Sequence, residues 1–526
     1  MKNVKSIIIL GGGSAGWMTA STLIKEFPDK EITVIESPNT PIIGVGESTI
    51  GGIKYWTTYL GIDDTEFFKY TDATYKLSIR FEDFYKKGDG GFHYPFGQSI
   101  YNSDGGFNDW ILKKHIYPET HRSDFADCFF PQMALVNNNK LFDNEKNELP
   151  FNFRENTAYH FDATKFGSFL KDRYCKPRGV KHVVDDIKSV EVSKDGIHSL
   201  VSDSNMGVGN NKYKADLYFD CTGFKSLLLG KSLQEEFESY SDMLPNNSAW
   251  ATRLPYNNKK EDINCYTNCT AIENGWVWQI PLWSRWGTGY VYSDKFVDDE
   301  TALKEFKNHL DKKGQDYSKA EFKKIKMRVG IHKRLWVKNV VGIGLAAGFI
   351  EPLESNGLFS VHEFLMRFIR NAQRDIITQW DRDNFTFQCK KFFRNFAEFV
   401  AMHYAMSNRD DTEYWRANAN KEWEPALVNL SPLFKEGFLN AANQRDWQRN
   451  FPGGGLPCIA FGMEWYPIDA PTIKYLDGYN DEQFKQRFIN SVNSLNNRKN
   501  QWDLVVKDKS SFYDYHKQKF YNDRND

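Results

Sequence analysis

The sequence predicts an α/β (α+β) fold, and three features carry that prediction. An apolar strand, Ser6-Ile7-Ile8-Ile9-Leu10, runs directly into Gly11-Gly12-Gly13-Ser14-Ala15-Gly16 and then into a helical stretch from Trp17 to Ile24. A second strand, Ile32-Thr33-Val34-Ile35, follows and ends on Glu36. Beyond about Ser360 the pattern turns helical, with Phe392, Phe393, Phe396, Phe399, Val400, His403 and Tyr404 recurring at spacings of three and four. The expected architecture is a Rossmann-like nucleotide-binding domain with insertions over residues 1–360, followed by a mainly helical region over 361–526.

The glycines have separate physical tasks. Gly11 permits the tight strand-to-helix turn, Gly13 lets the backbone approach a pyrophosphate, and Gly16 lets the helix lie close on the strand. The amides of Ser14 and Ala15 open the helix, where unsatisfied N–H groups face an anion. Glu36 lies roughly twenty residues past the last glycine, where an acid accepts from a ribose hydroxyl. Strand, helix, strand and acid in register make a dinucleotide the first expected ligand.

Short strands are expected at Lys181 to Val184, at Ser189 to Val192 and over Tyr213 to Phe219, the last closed by the turn Asp220-Cys221-Thr222-Gly223. Val340 to Gly348 reads as a buried strand running into small residues, followed by Pro352, Gly357 and a helix from near Leu358. In Gly275-Trp276-Val277-Trp278-Gln279-Ile280-Pro281, alternation puts both tryptophans on one face of a strand, which taken alone is core packing. His403 on the phenylalanine stripe reads as a packed core histidine. The Gly453 to Gly455 loop either lines a pocket or joins helices, and the tail from about Asn497 reads as a solvated helix.

Lys plus Arg (68) and Asp plus Glu (69) nearly cancel to a net charge of −1, so no global field favours nucleic acid or an anionic membrane. The longest apolar run, Val340 to Ile350, is too short to span a bilayer. Seven cysteines in 526 residues fit free thiols in a reducing compartment, and the expected location is cytoplasmic. Cys265 and Cys269 have no second ligand pair at zinc-site spacing, so no metal is assigned.

Taken together, these blocks resemble the flavin-dependent halogenases of the tryptophan-halogenase family. The resemblance runs over roughly the first 415 residues through Gly11 to Gly16, Gly44-Val45-Gly46-Glu47-Ser48-Thr49, Lys76, Tyr159-His160-Phe161-Asp162-Ala163, Asp220 to Phe224, the W-x-W-x-I-P block, Gly348 to Ser355, His403-Tyr404 and Arg409 to Trp415. It implies a flavoprotein monooxygenase-type fold in which FAD, supplied reduced (FADH2) by a separate flavin reductase, reacts with oxygen and a halide (chloride, bromide or iodide). Hypohalous acid then travels to a lysine, which delivers the halogen to an indole or phenol-like aromatic.

By the same resemblance, Gly46, Glu47, Ser48, Gly344 and Leu345 join the FAD-binding residues. Leu345 replaces the Asp usual in the wider monooxygenase class, which argues against an ordinary aromatic hydroxylase. Lys76 is the delivering lysine, Glu354 the carboxylate that polarises the oxidant and takes the arene proton, and Ser355 their neighbour. In Tyr75 to Phe81, alternation buries Tyr75, Leu77, Ile79 and Phe81 and points Lys76 to the other face. Backbone amides of Asn356 and Gly357 would bind halide, with Asn356 where the family commonly has Thr. Trp276 and Trp278 separate substrate from flavin. Tyr94-Pro95-Phe96 replaces the family's His-Pro-Phe, with His93 one residue early, and free tryptophan is not the default substrate. Phe96, the Gly453 to Gly455 loop and Trp465 are candidates to border an aromatic pocket. A homodimer is compatible with the sequence. The competing readings are an FAD-dependent aromatic hydroxylase and a non-enzymatic flavin-binding protein.

Overall fold

The isoleucine-rich run expected as a strand forms one, Ser6–Leu10, inside a sheet of six. The computed structural model describes residues 1, 4–40, 47–100, 108–202, 211–419, 421, 455–465 and 482–524. Gly46, Gly453 and Gly454 lie outside the described residues, as does the side chain of Glu47. The sheet order is Trp336–Val337, Val340–Gly342, Leu217–Asp220, Ser6–Leu10, Glu31–Glu36, Lys181–Val184. All neighbours pair in parallel except the first two. Parallel strands are covered on both faces, which is why Ser6–Leu10 reads as a continuous apolar run. Leu10 stands opposite Asp220 and Asp220 opposite Gly342, so three strands end level at the edge where such sheets bind ligands.

The strand expected over Tyr213 to Phe219 is in fact two. Lys212–Tyr213 joins a small antiparallel sheet, and Leu217–Asp220 joins the parallel one. Asp216 separates them because its carboxylate accepts from the backbone N–H groups of Lys5 at 2.7 Å and Ser6 at 2.9 Å, a local polar tie that alternation does not reveal.

The chain divides into two compact units. The first comprises Met1–Ala73, His160–Ala249 and Lys324–Arg394, and the second Thr74–Tyr159, Trp250–Lys323 and Asn395–Asp526. The division drawn from sequence at residue 360 does not coincide with any of these crossings. In the first unit, Ser14–Glu26 is buried from Gly16 to Ile24 although it carries Thr19, Ser21 and Thr22. Their hydroxyls donate to the carbonyls four residues earlier at 2.7, 2.7 and 2.9 Å, so the buried polar groups are satisfied within the helix. Gly357–Ala372 packs along it.

The second unit is built on a mainly antiparallel sheet containing Trp286–Tyr292, Gly275–Pro281, Tyr266–Ile272, Ser78–Glu82 and Gly91–Pro95 in that order. Gly455–Gly462 lies on its last strand, where Cβ atoms on Gly455 and Gly462 would overlap Tyr94 and Phe92 at 2.5 and 2.2 Å. Gly455 therefore starts a packed helix. The tail corrects the expectation of a solvated helix: Phe512–Phe520 buries Phe512, Tyr515, His516 and Phe520, and Tyr521 beyond it stacks on Trp283 at 4.3 Å. No described helix is long and apolar enough to cross a membrane.

Candidate active site

In the first unit the glycine-rich turn separates into positions the fold needs and a position it leaves open. Gly11 has φ +117°, and a Cβ on it would lie 2.3 Å from the Cys221 carbonyl oxygen. A Cβ on Gly16 would lie 1.8 Å from the Gly11 oxygen, so these two bring turn, helix and neighbouring strand together. A Cβ on Gly13, the residue capping Ser14–Glu26, would meet no protein atom within 4 Å. No acidic side chain occupies the first turn of that helix, and no side chain caps it. Its first amides therefore keep donors available for an anion.

Glu36 ends the second strand as expected, and its Oε2 lies 2.8 Å from His182 Nε2. The same carboxylate is the group that a Cβ on Gly12 would strike at 2.4 Å, which sets Glu36 beside the turn. Asp220, fully buried, accepts from the N–H and hydroxyl of Thr222 at 3.1 and 2.6 Å and from the N–H groups of Leu228 and Leu229 at 2.7 and 2.8 Å. That carboxylate holds the turn after the third strand in shape.

The second glycine turn reaches the same cradle. Gly344 has φ +65°, and a Cβ on it would stand 2.8 Å from Ala15 Cβ and 3.5 Å from Val361. Leu345 follows in a single 3-10 turn. Glu354 is buried, and Ser355, at φ 56°, donates through its hydroxyl to Ser48 Oγ at 3.0 Å. Asn356 caps the 16-residue helix Gly357–Ala372 and donates from Nδ2 to the Ile350 carbonyl at 3.3 Å. A Cβ on Gly357, like one on Gly13, would meet nothing within 4 Å. Ala15, Gly344 and the first turns of this helix thus converge, as do Ser48 and Ser355.

The second unit holds the lysine. Lys76 closes the short strand Thr74–Lys76, and Leu77 separates it from Ser78–Glu82. Both faces of this segment are covered: Tyr75, Leu77 and Ile79, the set that alternation buries, are buried, and so are Lys76 and Ser78 of the other set, Lys76 being 0% exposed. Its Nζ lies 5.0 Å from the Phe96 ring centroid. Phe96 donates its N–H to Leu77 O at 2.9 Å and packs edge-on against Tyr94 at 5.8 Å. The Tyr94-Pro95-Phe96 segment and Lys76 therefore meet.

Trp278 stands opposite Cys269, Cys269 opposite Phe81, and Phe81 opposite Phe92, so one row crosses four strands on one face. Trp276 and Trp278 share that face with ring centroids 6.2 Å apart, and a Cβ on Gly289 would overlap the Trp278 ring at 2.2 Å. Tyr94, opposite Ile79, belongs to the same face. His93 points the other way, with Nδ1 3.0 Å from Ser78 Oγ, and burial with nearby Arg80 pushes its pKa down to about 3. His403 is fully buried against the Phe81 ring at 4.6 Å, with Nδ1 on the Val400 carbonyl at 3.1 Å, a packed core histidine as read from the stripe. Trp465 packs on Phe461 at 5.4 Å.

Residues 6–474 match the family described as tryptophan halogenase. The chain belongs to that family. A tryptophan 6-halogenase, ThaL of Streptomyces albogriseolus, is 31% identical over 500 residues, spanning 90% of this chain and 92% of that protein. The apo structure of VirX1 superposes with a TM-score of 0.87 at 35% identity over 99% of both chains. Tar14, a tryptophan C-6 flavin-dependent halogenase (chlorinase) from taromycin biosynthesis, gives 0.84 at 30% identity over 98% of this chain and 99% of its own. This tryptophan halogenase family chain is accordingly a flavin-dependent enzyme of mixed α/β fold, and its family uses FAD, halide, aromatic substrates and a separate flavin reductase.

The residues of this halogenase family member fit the flavin. Gly13 and Gly357 open two helix N-termini toward space that no protein atom fills within 4 Å, as a phosphate-bearing cofactor and a small anion require. Among the described residues no cluster of His, Cys, Asp and Glu could hold a metal ion, and all seven cysteines are free and buried. Sequence reasoning missed His516, whose Nε2 accepts from the Tyr75 N–H at 3.0 Å, one residue before the lysine. The available signal was Ser511-Phe512-Tyr513-Asp514, an S-x-x-D helix start with Phe512, Tyr515 and His516 on one face. Ser511 Oγ does cap it, accepting from Asp514 N at 3.0 Å.

Proposed function

We propose that this halogenase family member halogenates an indole or phenol-like aromatic, free tryptophan not being the default substrate, with Lys76 as the residue that delivers the halogen. The observation that carries this reading is the complete burial of Lys76 with its Nζ toward Phe96. A solvated lysine has no such setting, and a buried one is retained at a cost in solvation. FAD is assigned to Gly11, Gly13, Ser14, Ala15, Gly16, Glu36, Gly46, Glu47, Ser48, Gly344 and Leu345, and halide to the backbone amides of Asn356 and Gly357. Reduced FAD, when bound, supplies with oxygen the oxidising equivalents that turn halide into hypohalous acid.

The lysine then acts at Nζ, either donating a hydrogen bond to the hypohalous acid or displacing hydroxide from the halogen to form an N–X bond that the arene breaks by attacking X. Either route fixes the direction from which the halogen meets the ring. Glu354 accepts the proton released as aromaticity returns. Ser355 holds the loop that carries Glu354, and its bond to Ser48 supports this role. Trp276 and Trp278 are assigned to keeping the aromatic from the flavin, and Tyr94, Pro95 and Phe96 to the substrate pocket. The test is incubation with reduced FAD, each of the three halides and a panel of indoles, phenols and free tryptophan, with products read by mass. Halogenated indole or phenol is the expected product; hydroxylated product, or halogenation of free tryptophan alone, overturns the reading.

A further inference from the structure

The segment that carries Lys76 is held at Thr74, Tyr75 and Leu77, each by a different element of the second unit. Thr74 Oγ1 donates to the carbonyl of Pro281, the last residue of the tryptophan strand, at 2.7 Å. Leu77 N–H donates to Cys265 O at 2.7 Å, just ahead of Tyr266–Ile272. Between them the Tyr75 N–H donates to a side chain, His516 Nε2, at 3.0 Å.

His516 is built to accept. Its Nδ1 lies 2.8 Å from the Phe512 carbonyl, one helical turn earlier, and only an N–H can satisfy that oxygen. With the proton on Nδ1, the lone pair is left on Nε2, facing Tyr75. The ring is 0% exposed and held among Phe512 at 4.2 Å, Tyr75 at 5.6 Å and Trp283 at 6.4 Å, the last a near-parallel stack at 24°. Burial favours the neutral form, so the acceptor is present throughout the physiological range. The helix it stands on is itself capped by Ser511 and anchored by Phe512 and Phe520.

We infer that His516 is a positioning residue for Lys76: by accepting from the peptide N–H immediately before the lysine, it sets the strand's rotation and so the direction of Nζ. The inference rests on Lys76 being the delivering lysine. A displaced Nζ would leave hypohalous acid production untouched and lower the share that reaches the arene, since misplacement of about 1 Å is enough to cost on the order of a hundredfold in rate.

The experiment compares His516→Phe, His516→Gln and His516→Asn with Lys76→Ala and the wild-type protein, using indole, bromide and reduced FAD as probes and reading bromoindole formed per reduced FAD consumed, together with KM for indole. Phe keeps a ring without an acceptor, the oxygen of Gln reaches the Nε2 position, and the oxygen of Asn stops short of it. The expected result is a coupling ratio lowered roughly tenfold or more in Phe and Asn, restored to within about threefold in Gln, with reduced FAD consumption and KM close to wild type. Should the Phe variant fail to fold, the Gln and Asn pair decides alone. Wild-type coupling in folded Phe or Asn protein, or equal losses in Gln and Asn, overturns the inference. Directed bromination by Lys76→Ala at the wild-type ratio would instead remove the reading of the lysine itself.

Discussion

Gly16 passes so close to Gly11 that a Cβ would stand 1.8 Å from its carbonyl oxygen, whereas Gly13, between them, faces no protein atom within 4 Å. Folding and ligand binding therefore separate within one hexapeptide. Gly16→Val should lose roughly 3 kcal/mol or more of stability, because backbone and not a flexible side chain must yield. Gly13→Val should keep its melting temperature within a few degrees and lose FAD. Thermal melts paired with equilibrium dialysis of FAD check this, and a folded Gly13→Val protein with wild-type flavin affinity contradicts the assignment of the cradle.

Lys76→Ala should still consume reduced FAD and oxygen while losing enzyme-directed halogenation, since the amine acts only on the finished oxidant. Lys76→Arg should fail too, because a planar guanidinium keeps the charge without the nucleophilic amine. Glu354→Gln is expected to be milder, on the order of 10²-fold in rate, because an amide donates and accepts hydrogen bonds but takes no proton. Product mass spectrometry with parallel oxygen uptake separates the two halves. Site-directed product from Lys76→Ala, under conditions in which free hypohalous acid is scavenged, would exclude the lysine.

Acid should destabilise the fold through its buried imidazoles. Burial pushes the pKa of His93 and His516 from 6.5 down to about 3, and that of His362 to about 4. Between those values and 6.5 the unfolded chain binds protons that the folded one does not, so stability falls as pH drops through 6.5 and is level above about 7.5. Each group contributes about 2 kcal/mol of loss at pH 5. Urea midpoints measured from pH 5 to 8 should show the slope, and His516→Gln should flatten it. An identical slope in that variant would show that His516 is not among the groups responsible.

The isolated protein should oxidise NADH or NADPH only slowly, because the strand-to-helix glycine turn at Gly11 to Gly16 is the dinucleotide cradle assigned to FAD. Adding a flavin reductase should restore turnover. Rapid reduction of bound FAD by NADH alone, followed in the flavin absorbance band, would count against a borrowed reductant.

Local chemistry was the legible part. The first strand, its turn and the following helix could be read because each depends on residues within a few positions: the glycines, the apolar run and the hydroxyls that bond back along their own helix. The tryptophan strand was legible for the same reason, since alternation is a property of one segment. Burial of Lys76 was not, because the ring beside its amine, Phe96, comes from another strand and meets the lysine only in the folded chain. The tail misled because Lys, Asp and Tyr residues suggest solvent, while its buried aromatics find partners only in the folded chain. The break at Asp216 belongs with these, set by a carboxylate that binds a strand far away in sequence.

The His516 bond to Tyr75 closes over 441 residues of chain. At synthesis rates of about 5–20 residues per second, the ribosome needs roughly twenty to ninety seconds to make the intervening segment. Throughout that interval the lysine strand exists without the helix that seats it, its amide and the aromatic faces around it open to other chains. A message truncated before Ser511 would yield a protein with its nucleotide cradle encoded in full and its lysine strand unseated. The order of synthesis thus leaves the partner of the Tyr75 amide to be made long after the lysine strand, so a preparation is sound for the inference drawn on His516 only when the segment from Ser511 to Phe520 is intact.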